Sequence, residues 1–197
     1  MDNRRNKIKY WSLVSANLLL ALADGGLTYW NTPDLTMEAN PLVSKLGLGW
    51  GALGTVNIVI LGLLFWLAYY SFFQYKTVYT KETKFTAYIS QIVYGRPDKF
   101  WTGLIPKHIA PYMGALGPSL LWGSIGARII VVFEWLCITF GWRYRYDWTM
   151  AYFRFRKVYC FGRPDVIVAV VIGYICFFAW FYREFQKQKQ EQPHDLS

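Results

Sequence analysis

Apolar positions in this chain gather into long blocks rather than stripes. The first block runs from Tyr10 to Trp30, after the basic cluster Arg4, Arg5, Lys7 and Lys9. About 20 apolar residues in a helix cross the ~30 Å hydrocarbon core of a bilayer. Residues 10–30 are therefore read as a first span, anchored at the interfaces by Tyr10, Trp11, Tyr29 and Trp30. The same stretch, with Ala21-Leu22-Ala23, also has the form of a signal peptide. Its apolar character resumes through Leu27–Trp30, which favours the span. Leu46 to Tyr75 holds no charged residue, and residues 51–70 are the second span. In the mixed segment that follows, Phe85, Ile89, Ile92 and Val93 recur at helical spacing, predicting an interfacial helix over 85–101.

Ile109 to Trp142 is apolar but interrupted, first by Pro111, Gly114, Gly117 and Pro118, then by Arg128 and Glu134. One straight helix of that length would reach ~51 Å, well beyond a bilayer core. The pattern reads as a broken or re-entrant segment over 109–123 followed by a third span over 124–142; two short spans in a hairpin are the alternative. After a basic, aromatic stretch, residues 166–182 form the last span, and 183–197 a polar tail expected to fray. The fold class is all-α: one multi-pass membrane domain over 1–197, a bundle of four spans, or five in the alternative, with interfacial or re-entrant helices.

Composition supports this. Hydrophobic residues make up 54%, aromatics 20% and charged residues 17%, against about 25% charged in a soluble domain. Disorder is excluded, because it needs low hydrophobicity. The net charge of +9 would suit nucleic acid or an anionic membrane surface. The basic residues flank apolar blocks, so the bilayer is the expected partner, with further copies or membrane-complex subunits as others and no nucleic acid. Four spans with the N-terminus inside put 13 Lys and Arg inside and 7 outside, while a fifth crossing gives 16 and 5. The fifth would make two spans very short, so four are preferred, in a cytoplasmic (inner) membrane with a cytoplasmic N-terminus. Three cysteines and two histidines lack any zinc-site spacing, and no cofactor or metal is expected.

Charges within spans are costly and become functional candidates. Asn17, Asp24 and Thr28 share one face of the first span, and Ala21 on that face leaves room for a neighbour. With Glu38 and Asn40 of the next loop they form an oxygen-rich set suited to a cation, a proton relay or a polar substrate. The alternative is that they bond helix to helix, and that Glu38 caps the second span. Glu134, mid-span, must be paired or protonated; Arg128 lies 120° round the helix from it and, near a span end, either snorkels or meets Asp24 or Glu134 of a neighbouring copy. Ser119, Gly123 and Ala127 form a small-residue face that admits a close helix neighbour. Gly95-Arg96-Pro97-Asp98 is echoed by Gly162-Arg163-Pro164-Asp165. This is either a repeated helix stop and cap, or a pair of arginines, Arg96 and Arg163, for anionic lipid headgroups.

The pattern Asp24-x-x-x-Thr28 followed by Glu38-Ala39-Asn40-Pro41-Leu42 resembles that of a family of small prokaryotic membrane proteins, the DUF5658-like proteins. The resemblance covers about residues 17–65. It implies a bacterial or archaeal membrane location and no particular activity.

Enzyme templates fit poorly. Gly117-Pro118-Ser119 resembles an intramembrane protease motif, but no histidine follows in any span to act as base. Phosphate-loop and dinucleotide fingerprints are missing. The expected function is binding or transport of a small polar solute, ion or lipid headgroup through intramembrane Asp and Glu. A non-catalytic subunit of a membrane complex is the alternative, and an intramembrane enzyme acting on lipid a third.

Overall fold

A computed structural model of the chain describes residues 3–36, 46–97, 106–142, 147–160 and 162–191. Among them are six α-helices and no strand: α1 (Asn3–Asn31), α2 (Trp50–Tyr69), α3 (Phe85–Tyr94), α4 (Ile109–Thr139), α5 (Asp147–Tyr159) and α6 (Pro164–Glu191). A π turn, Tyr70–Gln74, extends α2. Three helices are long and apolar enough to cross a membrane: α2 with its π turn (25 residues), α4 (31 residues) and α6 (28 residues).

Helix α4 is the axis of the bundle. Helix α1 runs parallel to it: Asn17 donates to the Leu121 carbonyl at 3.2 Å, Arg128 meets Asp24 at 3.2 Å, and Asn31 donates to Thr139 Oγ1 at 2.8 Å. Helices α2 and α6 run antiparallel to α4. Gly117 lies against the Leu67 backbone and Arg128 against Asn57; on the other side Gly114 lies against Trp180 and Gly123 against Ala169. The four long helices thus alternate in direction, which brings the starts of α1 and α4 to the same end as the finish of α2 and α6.

The expected break over 109–123 is absent, because α4 is continuous through Pro118. Proline lacks the N–H that would bond the carbonyl four residues back. That carbonyl belongs to Gly114, and Ser71 Oγ of the π turn donates to it at 2.6 Å. A side chain from a neighbouring helix thus replaces the lost bond, as buried Pro-containing helices require. The segment expected as a third span is therefore the second part of one helix of ~46 Å, longer than a bilayer core, a length that tilt or protruding ends would accommodate in a membrane.

Two further expectations are corrected. The helix foreseen over 85–101 stops at Tyr94, where Gly95 takes a left-handed φ of 72° and donates to the Gln91 carbonyl. A residue without Cβ adopts that conformation without strain. The apolar face of α3 covers protein as well: Tyr88, Ile89, Ile92 and Val93 are buried with Trp180, Phe181 and Phe185. The tail does not fray from 183, since α6 stays helical to Glu191 and buries Glu184, Phe185 and Gln188. The extended segment after the π turn is tied to this face. Thr77 donates to Glu184 Oε2 at 2.7 Å, the Thr80 N–H donates to Gln188 Oε1 at 2.8 Å, and Gln188 Nε2 donates to the Glu82 carbonyl at 2.9 Å. Burial, then the charge of Glu184, pushes the Tyr88 phenol well above its usual range.

The small-residue face works inside the chain. A Cβ on Gly123 would stand 2.7 Å from the Ala169 carbonyl oxygen, and buried Ser119 has its carbonyl 3.5 Å from the equivalent position on Gly173. Both contacts are with α6; Ala127, a turn further on, is half-buried.

Candidate functional site

Along α1, residues at seven- and four-residue steps return to one face. Asn17 and Thr28 on that face are buried, and Asp24 lies between them. Both ends of the Asn17 amide bond to α4: it donates to the Leu121 carbonyl and accepts from Ser124 Oγ at 3.2 Å. Its role is the helix-to-helix bonding foreseen as one alternative. Thr28 turns its hydroxyl back to the Asp24 carbonyl at 2.8 Å, with Asp24 Oδ1 at 3.5 Å.

Asp24 differs, because its Oδ2 meets Arg128 Nη1 at 3.2 Å, with the two side chains 26% and 12% exposed. Arg128 Nη2 donates to Asn57 Oδ1 at 3.3 Å, joining α1, α2 and α4 at one point. Arg128 Nε is buried and has no hydrogen-bond partner among the described residues.

One and a half turns further along α4, Glu134 faces the helix after the span. Its Oε2 accepts from Arg156 Nη1 at 2.9 Å and its Oε1 from the Tyr152 hydroxyl at 3.3 Å. Arg156 Nε also donates to the Gly162 carbonyl at 3.1 Å. Burial, then the Glu134 carboxylate, raises the Tyr152 phenol far above its ordinary value, so it serves as a neutral donor. Gly162 has φ 77° and ends the α5 segment as Gly95 ends α3. Beyond it, Arg163 grips Asp165 through Nε and Nη2 at 3.1 and 2.9 Å.

These groups share one cavity of about 550 Å³ between α1, α2 and α4 and beneath α5. Asp24, Thr28, Asn57, Arg128, Glu134 and Arg156 line it, with Arg163 and Asp165 at one end. Its volume is that of a small-ligand site. Among the described residues no three His, Cys, Asp or Glu side chains gather as a metal site would.

Of the residues singled out from sequence, Asp24, Thr28, Arg128, Glu134 and Arg163 come together here, with Asn17 two turns below Asp24. Glu38 and Asn40 lie outside the described residues. Asp34, in the same loop, is spent on a turn. Its Oδ1 accepts from the Thr36 N–H and hydroxyl and from Thr32, and the Thr36 backbone bond foremost holds its carboxyl below the usual value. Arg96 and Arg163 do not form a pair: Arg96 is exposed beside the start of α4, and Arg163 stands by the end of that helix. Asn57, Tyr152, Arg156 and Asp165 were not foreseen. Asn57 was legible as a lone amide inside an uncharged span; the others depend on how α5 folds back.

Compared with protein-family models, curated proteins and solved structures, the chain matches none.

Proposed function

We propose that the protein is a four-span membrane protein that binds a small polar solute, ion or lipid headgroup in the cavity around Asp24, Arg128 and Glu134. The observation that carries this reading is the convergence of three ion pairs on one unfilled space between long apolar helices. Charges in a bilayer are costly and need only partners to be tolerated. Pairing explains each charge; it does not explain why all face a common cavity. The packed alternative, a subunit whose polar residues only dock partners, needs no such space.

Helix α1 supplies the fourth span in this reading. It runs beside α4 from Asn17 to Asn31, so it reaches the same depth. Asn17 and Asp24 lower its own hydropathy, and both face α4 rather than lipid, while Leu19 and Leu22 are exposed. Four antiparallel spans put both termini on the side carrying 13 basic residues, against 7 on the other. The positive-inside rule makes that side cytoplasmic and suits an inner membrane of the kind the DUF5658-like pattern implies. Reporter fusions at residue 1 and residue 197 are expected to report the same, cytoplasmic, side. Opposite sides would remove α1 as a span.

The binding reading is tested by Gly54→Leu. Gly54 lines the cavity, and a Cβ there meets nothing within 4 Å, so a larger side chain can start from it toward the cavity. Native mass spectrometry of the protein released from its own membrane is expected to show a small-molecule adduct on the wild type and none on Gly54→Leu, at equal yield. Arg156→Gln, at a charge that lines the cavity, should weaken the adduct while leaving the helical content unchanged. A stoichiometric protein partner with no adduct on the wild type would replace this reading with the subunit one.

A further inference from the structure

The cavity is not sealed from the apolar surface of the bundle. Leu18, Leu22 and Ile58 line it, yet they are 42%, 72% and 72% exposed. These residues lie where α1 and α2 part. The two helices meet toward their ends, where the Tyr10 hydroxyl reaches the Phe65 carbonyl at 3.4 Å and the rings of Tyr29 and Trp50 lie 5.5 Å apart. Between those points the gap faces the surface that acyl chains cover.

The polar wall has a directional shortage. The carboxylates of Asp24, Glu134 and Asp165 each already hold a guanidinium within 3.2 Å. A cation would have to displace one. The guanidiniums are not saturated in the same way. Arg128 and Arg156 each have more N–H donors than the two bonds they make among the described residues. Arg128 Nε is buried and has no acceptor among the described residues, and an unmet buried donor is costly. The spare N–H donors of the cavity-lining guanidiniums therefore favour an acceptor-rich group, and planar guanidiniums match oxyanions.

Depth agrees. Arg156 and Arg163 stand at the end of the bundle, while Arg128 pairs with Asp24, seven residues inside Asn31, or ~10 Å down the helix. With Tyr29 and Trp30 marking the interface, Arg156 and Arg163 stand at the level of the headgroups and Arg128 below it, among the acyl chains.

We propose that the cavity holds the phosphate of a membrane amphiphile, taken sideways between α1 and α2. Arg128, Arg156 and Arg163 surround the phosphate, and its chain lies along Leu18, Leu22 and Ile58. This rests on the binding reading above and names the ligand class for it. A free phosphate solute would share the guanidiniums but not the apolar gap.

The test uses the full chain in a non-ionic detergent, titrated with dodecyl phosphate and with inorganic phosphate by calorimetry. Dodecyl phosphate is expected to bind saturably, one per chain, and at least ten times more tightly than inorganic phosphate. Gly54→Leu and Arg156→Gln should each weaken it at least tenfold while the helical circular dichroism stays unchanged. Gly54→Leu removes no charge, so it remains informative if Arg156→Gln unfolds. Equal affinity for the two phosphates would overturn the amphiphile in favour of a soluble oxyanion. No saturable binding of dodecyl phosphate, or binding that survives Gly54→Leu, would overturn the proposal. A native adduct without phosphate would sink this inference alone and leave the binding site standing.

Discussion

Gly117→Ala is expected to destabilise the bundle by roughly 3 kcal/mol, at the upper end of the range for overpacking. The added Cβ would stand 2.3 Å from the Leu67 carbonyl oxygen, 2.7 Å from its carbon and 2.9 Å from the Ala68 nitrogen. All three are backbone atoms of α2, so no side-chain rotation relieves the clash. Either α2 and α4 separate or one of them bends. Separation would also pull Ser71 from the Gly114 carbonyl and expose the gap that Pro118 leaves in the α4 ladder. In a bilayer no water reaches that carbonyl to replace the bond. The rest of the series follows from what each Cβ would meet. Gly123→Ala faces the Ala169 carbonyl oxygen at 2.7 Å and should cost somewhat less. Gly126→Ala faces the Ile172 Cδ1 tip at 2.4 Å, a side chain that can move. Gly51→Ala meets nothing and should be neutral or slightly stabilising, since alanine is the better helix former by up to ~1 kcal/mol. Unfolding in mixed micelles of increasing denaturing detergent gives the order directly. If Gly117→Ala is as stable as Gly51→Ala, the α2–α4 contact is not as described.

The same contact shows where the sequence was readable. The long apolar blocks at Tyr10–Trp30, Leu46–Tyr75, the second part of Ile109–Trp142 and Val166–Tyr182 announce helices, because bilayer thickness sets a length that residue type alone satisfies. Pro118 misleads. It breaks an isolated helix, and only the neighbour that supplies Ser71 decides whether the break occurs, a fact local sequence does not contain. The polar face of α1 was legible for the same reason as the spans: Asn17, Asp24 and Thr28 repeat at helical steps in an otherwise apolar stretch. Their fates diverge through tertiary structure. Asn17 is consumed by the backbone of α4, and Asp24 opens on a cavity. Arg128 as a partner of Asp24 could be foreseen from charge alone. Arg156 as the partner of Glu134 could not, because 22 residues separate them and only the way α5 folds back brings them together. The tail after Arg183 reads as solvated for its Lys and Gln content, yet Phe185 and Gln188 are buried by α3 and the extended segment that precedes it. A composition rule misses this, since what covers those side chains is about 100 residues away in the chain.

Replacing Arg128 by leucine should cost about 3 kcal/mol, the low end for breaking a buried ion pair. The low end applies because Asp24 keeps 26% of its side chain exposed to the cavity, where water or ligand partly solvates it. The loss has two parts. Asp24 faces the cavity without its guanidinium, and Asn57 Oδ1 loses the donor that ties α2 to the pair. Arg128→Lys keeps the charge, but a single ammonium cannot reach Asp24 and Asn57 as the two arms of a guanidinium do, so it should recover only part of the loss. Asp24→Leu alone should also destabilise, by stranding Arg128. The double change to leucine at both positions should regain most of the stability, because an apolar pair of similar size removes the desolvation cost instead of leaving half of it. A double-mutant cycle on detergent unfolding reads this as a coupling energy. Strictly additive effects would mean that Asp24 and Arg128 do not act as a pair. The double-leucine protein then separates stability from function, since a stable bundle with no charge at that point should have lost its native adduct. Were the adduct retained, the binding site would have to lie elsewhere, even though the fold at α1, α2 and α4 stood as described.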